Sequence, residues 1–494
     1  MSINFKILEK SILAGCDSYK VSHYMMQNPN NINSNQYIES RGGRFKETVF
    51  FGIQGIIKEV LSETITHEKV DAAKQFYKLH FGSDIFNEKG WRIIVDKFNG
   101  KLPVIVETVD EGTVLPVKNV LVQYRLTDEA EKTGKLAWLP GWLETTFMRV
   151  WYPTTVASYS YHIRKNIKEF VAKTSDNDPL VDFRLHDFGS RGVSSYETAG
   201  IGGAAHLATG ALGSDTIDGI VYAHTHYGLP EDQIAAYSVA ASEHSVTCSW
   251  GKEGELDFYK HLIKTISPGS ILSVVSDTYD IDGALDYFCD VIKDDILEKD
   301  IKLVVRPDSG IPVEMVMKCL NRLGEGYGFT VNTKGYKVLN QVRVIQGDGI
   351  NIDTVSEILS TMEQNGWSAE NIVFGSGGSL LQDHQRDDLM FALKASCVKV
   401  EMYNQIPKGI SEEDIWTEKD KIGHWYGVSK QPKTDMGKQS KKNILALVIR
   451  DGEYQTIAIQ ELKSGETNLL KVRYDGNNFV NQDDFNTVRS RVDY

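Results

Sequence analysis

The sequence predicts an α/β protein: a parallel β/α barrel, closed or nearly closed, over residues 151–399, with an α+β domain built from 1–150 and 400–494. Three observations carry this. From about Asp182 the chain repeats one unit, a strand, a short polar or glycine-bearing loop, then an amphipathic helix. Strands alternating with helices of this length pair in parallel, because each crossover must return the chain to the same end of the sheet. The strand ends are His186-Asp187-Phe188-Gly189, Val239-Ala240-Ala241, Val275-Ser276-Asp277, Val305-Arg306-Pro307-Asp308, Ile345-Gln346-Gly347-Asp348 and Phe374-Gly375-Ser376-Gly377-Gly378. That many units suits a barrel better than an open sheet. Charged residues and glycines also cluster where strands stop, so residues distant in sequence converge on one face; an open doubly wound sheet would gather them around a crevice instead.

Taken in order, Asp17 caps a short helix reaching Met26, and 35–40 reads as a strand ending at Arg41-Gly-Gly-Arg44. Phe51, Ile53, Ile56, Ile57 and Val60 have helical spacing, and two further helices follow to about Phe98. Residues 102–127 hold two or three strands broken at Asp110-Glu-Gly112, and 135–150 reads as one helix rich in large apolar residues. Ser242 suits the N-cap of a helix with His244 in its first turn. Val355, Ile358, Leu359 and Met362 mark one barrel helix. Beyond Val400 the alternation stops: 401–421 is charged and irregular, 425–442 is a lysine-rich loop, and 444–450, 454–459 and 469–474 read as strands.

A chain of 494 residues suggests two to three domains, and 41% apolar with 10% aromatic residues is an ordinary globular composition. A formal charge of −13 argues against nucleic-acid or anionic-membrane surfaces, which need a net positive face. Cys16, Cys248, Cys289, Cys319 and Cys397 are scattered, with no spacing for disulfides or zinc. No stretch is apolar enough to span a bilayer and no leader pattern opens the chain, so a cytoplasmic protein is expected.

The strand ends hold the chemistry. Phe374-Gly-Ser-Gly-Gly-Ser-Leu380 between strand and helix can bring backbone N–H groups to a phosphate, with Arg386 in the helix that follows, or simply supply a tight turn. Arg306 can bind phosphate, and Asp308 can accept ribose hydroxyls or hold Mg²⁺ through water; Asp277 and Asp348 share that geometry. Together they suggest a polyol phosphate with magnesium. Phe188 either stacks on a flat heterocycle or packs the barrel rim, and Arg191 can bind an anion. His244 can hold substrate, move a proton, act as nucleophile or pack. No Gly-x-Ser-x-Gly elbow accompanies it. His224 and His226 fit a metal or a surface turn, and lysines 430, 433, 438, 441 and 442 a basic rim or a solvated loop.

Asp17-Ser-Tyr-Lys20, Glu47-Thr-Val-Phe-Phe-Gly52, His186-Asp-Phe-Gly189, Arg191-Gly-Val-Ser-Ser195, Glu197-Thr-Ala-Gly200, Glu243-His-Ser245, Ser273-Val-Val-Ser-Asp277, Arg306-Pro-Asp-Ser-Gly310, Gln346-Gly-Asp-Gly349 and Gly375-Ser-Gly-Gly378 resemble, in order, the nicotinamide phosphoribosyltransferase family. The resemblance runs from about residue 14 to 400. It implies a type II phosphoribosyltransferase with an irregular β/α barrel and a homodimer sharing its sites. The implied reaction joins nicotinamide to the phosphoribosyl group of 5-phosphoribosyl 1-pyrophosphate in NAD salvage, with Mg²⁺, and with ATP hydrolysis coupled through a phosphohistidine at His244. Carried over, Phe188 and Tyr19 of the partner subunit sandwich the pyridine ring, and Asp215 accepts from the carboxamide. Arg306, Gly377 and Gly378 hold the 5′-phosphate, while Asp277 and Asp308 take ribose hydroxyls and magnesium waters. Arg191 and Arg386 contact phosphates, Ser238, Ser273, Gly347 and Asp348 complete the substrate set, and Arg41, Lys394 and Lys430 lie near pyrophosphate or nucleotide. Ala240, Ser242, Ser190 and Ser379 depart from the family's usual residues, and 403–426 looks like an insertion. Two alternatives stand beside this reading, a nicotinate phosphoribosyltransferase and a non-catalytic nucleotide-binding protein on the same scaffold. Against the first, an Asp215 facing a substrate carboxylate would repel it.

Overall fold

The computed structural model describes residues 4–419, 421–430, 433–434, 440–492 and 494; Lys438 lies outside them. The chain divides into two compact units, Met1–Thr155 with Gln385–Asp493, and Val156–His384 with Tyr494.

The terminal unit is built on a seven-stranded sheet in the order Ile415–Trp416, His424–Gly427, Phe391–Val400, Asn31–Ser40, Val120–Leu126, Val104–Thr108, Lys471–Tyr474. Every neighbouring pair is antiparallel. Residues 391–399, taken into the barrel range by the sequence reading, belong instead to the strand Phe391–Val400, which pairs along its length with Asn31–Ser40. Its apolar run resembles a buried parallel strand, yet it is the terminal sheet that covers it. Helices His67–Phe81 and Glu88–Phe98 begin where Thr66 and Asn87 accept the Lys69 and Gly90 amides. The helix expected over 135–150 is three short pieces, Leu139–Trp142, Glu144–Phe147 and Met148–Val150. Pro140 has no N–H to give a preceding turn, so the first piece starts beside it.

The central unit is the barrel. Its strands are β1 (Leu185–Asp187), β2 (Gly213–Ser214), β3 (Ala240–Ala241), β4 (Ile271–Val275), β5 (Lys302–Arg306), β6 (Val342–Gln346) and β7 (Ile372–Ser376). They lie in the order β2-β1-β7-β6-β5-β4-β3 and all neighbours are parallel. The two edges meet at a parallel bridge between Gly213 and Tyr237, the latter three residues ahead of β3. Tyr237 donates its N–H to the Leu212 carbonyl at 2.8 Å, and Ser214 donates to the Tyr237 carbonyl at 3.2 Å. The ring is thus closed, with two very short strands at the seam. β2 has no counterpart among the predicted strands.

Local sequence explains the connections. Ser195 and Asn351 form capping boxes with Thr198 and Thr354 at the starts of helices Tyr196–Ala208 and Ile352–Gln364, and Pro312 opens Pro312–Tyr327. On β5, Leu303 and Val305 are fully buried, while Val304 and Arg306 turn to the barrel interior, as the two-residue strand period requires.

Candidate active site

The barrel encloses a cavity of about 750 Å³. Phe188, Asp215, Ser238, Ser273 and Arg306 line it together with His186. The carboxyl ends of β1, β2 and β5 thus deliver an aromatic ring, a carboxylate and a guanidinium to one space, which is the convergence a barrel imposes.

Phe188 is positioned by backbone and by missing side chains. Its N–H donates to the Ser376 carbonyl at 2.9 Å. A Cβ on residue 375 would stand 1.9 Å from the Phe188 ring, so glycine is required there. Arg306 lies over the same ring, its Cζ 5.7 Å from the centroid. Gly347 faces the cluster too: a Cβ there would stand 3.4 Å from Asp308, 3.5 Å from Phe188 and 3.7 Å from Arg306. Beneath the ring, the wholly buried Asp187 accepts the Gly189 amide at 2.7 Å, and burial pushes its carboxyl up to about 6.

Asp215 accepts from Ser238 Oγ at 2.5 Å, and His186 Nε2 lies 3.0 Å away. Burial raises its pKa, but hydrogen bonds from His186 and Ser238 and the charges of His186 and Arg306 more than offset this, holding the carboxyl below its ordinary value. The cavity therefore presents a fixed negative charge at neutral pH.

A second cluster joins β3, β4 and β5. His244 Nε2 lies 3.4 Å from Asp308 and 3.8 Å from Asp277, and its Nδ1 is 3.1 Å from Thr278 Oγ1. Asp277 Oδ2 accepts the Asp308 amide at 2.8 Å and the Ser309 hydroxyl at 2.5 Å. Arg306 donates to both oxygens of Asp308, at 3.3 and 3.1 Å. The short helix His244–Cys248 is not capped by Ser242. Glu243 holds the cap position, and the Ser242 hydroxyl accepts the Val275 amide at 3.0 Å, tying β3 to β4 instead.

Other predicted residues fall around these clusters or away from them. Gly377 caps the four-residue helix Gly378–Leu381, and a Cβ on Gly378 would meet only open space, leaving its backbone approachable. Arg191 stands in the exposed turn Ser190–Gly192. Asp348 is exposed, its carbonyl accepting from Gln346 Nε2 at 3.0 Å. Arg386 is not in the helix after the glycine run. That helix ends at Leu381, and Arg386 begins a separate turn in the terminal unit, paired with Asp387 at 3.1 Å. Arg41, Lys394 and Lys430 share that unit with it. Burial and the charges of Arg41, Lys430 and Arg386, partly offset by Glu144, hold the Lys394 ammonium below its ordinary value. Tyr19 is exposed in the same unit. Lys441 and Lys442 are ion-paired with Glu39 and Asp414 rather than open to a ligand. His224 bonds to the Leu229 carbonyl and His226 stacks on Tyr222. His186, absent from the predicted set, has one legible signal: it stands two residues before Phe188, on the same strand face.

Comparison with known proteins gives the chain's relatives. Residues 183–408 match the nicotinate phosphoribosyltransferase (NAPRTase) family model, and residues 11–106 that of the nicotinamide phosphoribosyltransferase N-terminal domain. The nicotinamide phosphoribosyltransferase of Xanthomonas campestris pv. campestris is 43% identical over 458 residues, 92% of this chain and 91% of that protein. Among solved structures, nicotinate-nucleotide pyrophosphorylase from Pyrococcus furiosus has a TM-score of 0.58 at 13% identity, covering 100% of this chain and 96% of that one. Human nicotinic acid phosphoribosyltransferase has a TM-score of 0.53 at 14% identity, covering 96% and 92%. At such identities the two structures speak for the fold, while the bacterial relative speaks for descent. The chain belongs to the nicotinamide phosphoribosyltransferase family.

Proposed function

We propose that this protein transfers the phosphoribosyl group of 5-phosphoribosyl 1-pyrophosphate to nicotinamide, giving nicotinamide mononucleotide and pyrophosphate in NAD salvage. The observation that carries it is the meeting of Phe188, Asp215 and Arg306 in one cavity. Phe188 offers a face for the pyridine ring, and the ionised Asp215 accepts from a carboxamide while repelling a carboxylate. Arg306, with the Gly377 and Gly378 backbone, is suited to the 5′-phosphate. As the pyridine nitrogen bonds to the anomeric carbon, the bond to the pyrophosphate oxygen breaks. Catalysis then consists of holding base and sugar in line and neutralising the leaving group.

Asp277 and Asp308 fit a magnesium ion held through waters, since Asp277 Oδ1 is buried without a hydrogen-bond partner among the described residues. Held through waters by Asp277 and Asp308, Mg²⁺ would offset charge on the departing pyrophosphate. In the same reading ATP phosphorylates His244: a ring nitrogen bonds to the γ-phosphorus as the bond to the ADP oxygen breaks, and water later releases phosphate. The added charge beside Asp277 and Asp308 would change affinity at the pyrophosphate site, which is what coupling requires. Two copies would share each site, with Tyr19 of the partner subunit closing over the base; its exposure supports this. All five cysteines are free, which supports a reducing compartment such as the cytoplasm.

Offering nicotinamide and nicotinate side by side, with and without ATP, and separating the products tests the reading. Nicotinamide mononucleotide should dominate. Asp215→Asn should cut nicotinamide use roughly ten- to hundredfold, the worth of one hydrogen bond to a charged group, and admit nicotinate. Preferential use of nicotinate by the unaltered protein would refute it.

A further inference from the structure

On β1 the side chains alternate: Leu185 and Asp187 are buried away from the cavity, whereas His186 and Phe188 line it. His186 Nε2 lies 3.0 Å from Asp215 Oδ1, and the Ser238 hydroxyl donates to that same oxygen at 2.5 Å. Facing a carboxylate oxygen, an imidazole nitrogen serves as donor, so Nε2 carries the proton in this pair. Among the described residues no hydrogen bond reaches the other oxygen, Oδ2. The His186 ring fits only because residue 213 is glycine, where a Cβ would stand 2.6 Å from Nδ1. The histidine side chain is 12% exposed and the aspartate 47%, so a packed donor grips a carboxylate that is open to the cavity. Two donors on one oxygen fix the rotation of the carboxylate plane and direct its remaining lone pairs elsewhere.

We propose that His186 is a specificity-determining positioning residue: with Ser238 it pins Oδ1 of Asp215, so that Oδ2 is presented to the N–H of the base. This rests on the reading that a pyridine carboxamide occupies the cavity. His186 also packs against Phe188, with ring centroids 5.1 Å apart, so donation has to be separated from packing. Two replacements separate them. Glutamine carries an amide N–H about where histidine carries Nε2, whereas leucine fills similar space without a donor.

The test titrates nicotinamide and 3-acetylpyridine, a methyl ketone of similar shape with no N–H, into the unaltered full-length protein, His186→Gln and His186→Leu by calorimetry, and measures transfer kinetics alongside. His186→Leu should weaken nicotinamide roughly tenfold or more, as a rise in KM with kcat changed less than about threefold, and leave 3-acetylpyridine within about twofold. His186→Gln should recover nicotinamide to within about threefold of the unaltered protein. Equal weakening of both bases, or a glutamine variant no better than leucine, overturns the proposal and leaves the histidine a packing role against Phe188. Unaltered protein that uses nicotinamide, with affinity indifferent to His186→Leu, also overturns this inference while sparing the proposed function. Unaltered protein that neither binds nor uses nicotinamide overturns both.

Discussion

Asp187 and Asp215 stand at the ends of neighbouring strands, and their surroundings drive them in opposite directions. Asp215 gains two donors and a nearby guanidinium, and stays charged. Asp187 gains one backbone amide and a distant hydroxyl at 3.4 Å, and burial dominates. A carboxyl that titrates near 6 when folded, but in the ordinary carboxylate range when unfolded, makes the native state the better proton binder between those values. Stability then falls as pH rises through that window, by up to about 3 kcal/mol. Asp187→Asn keeps an acceptor for the Gly189 amide and removes the ionisation. Thermal unfolding should show the variant gaining on the parent protein between pH 4 and pH 7; a gap unchanged with pH would contradict this. Residue identities alone did not separate the two aspartates. Asp215 entered the candidate set through family resemblance, and neither its donors nor the burial of Asp187 can be read from a linear pattern, because His186 lies on β1 and Ser238 just ahead of β3.

Among the elements, those whose sequence carried both a strand and a following helix were legible: β1, β4, β5, β6 and β7 stand where the apolar runs and polar strand ends placed them. β2 was not, since two residues, one of them glycine, carry no strand preference and owe their geometry to β1 and Tyr237. The strand Phe391–Val400 has no counterpart among the predicted strands, and the barrel range running to residue 399 took its residues in, because apolar content records burial and not partner. The glycine run after β7 held two roles that the sequence could not tell apart. Gly375 clears space for the Phe188 ring, whereas Gly378 leaves open backbone. Gly375→Ala should therefore push the ring aside and weaken nicotinamide binding roughly tenfold or more, while Gly378→Ala changes base affinity less than about twofold. Calorimetric titration of nicotinamide into each variant distinguishes them; equal effects would contradict the assignment.

Across the molecule, the candidate groups are divided between two units. Phe188, Asp215, Asp277, Arg306 and Asp308 belong to the central one, and Tyr19 with Arg41, Arg386, Lys394 and Lys430 to the terminal one. Sites shared between two copies would join them, and complementation tests it. If the sites are shared in a homodimer, Tyr19→Ala and Phe188→Ala variants that are nearly inactive alone should regain up to about a quarter of full activity when unfolded and refolded together, since half the dimers would be mixed and each mixed dimer would have one intact site. No recovery on mixing would mean that Tyr19 and Phe188 serve sites within one chain.

The pairing of Asn31–Ser40 with Phe391–Val400 has a consequence for synthesis. Asn35 bonds to Ser396 across a separation of 361 residues. A nascent chain therefore carries one strand of its terminal sheet unpartnered on that edge until four fifths of the protein has left the ribosome. All seven barrel strands emerge before that partner does, so the catalytic scaffold can assemble first while the amino-terminal segment waits. During that wait the open strand edge is a template for unintended pairing, which a chaperone would have to cover.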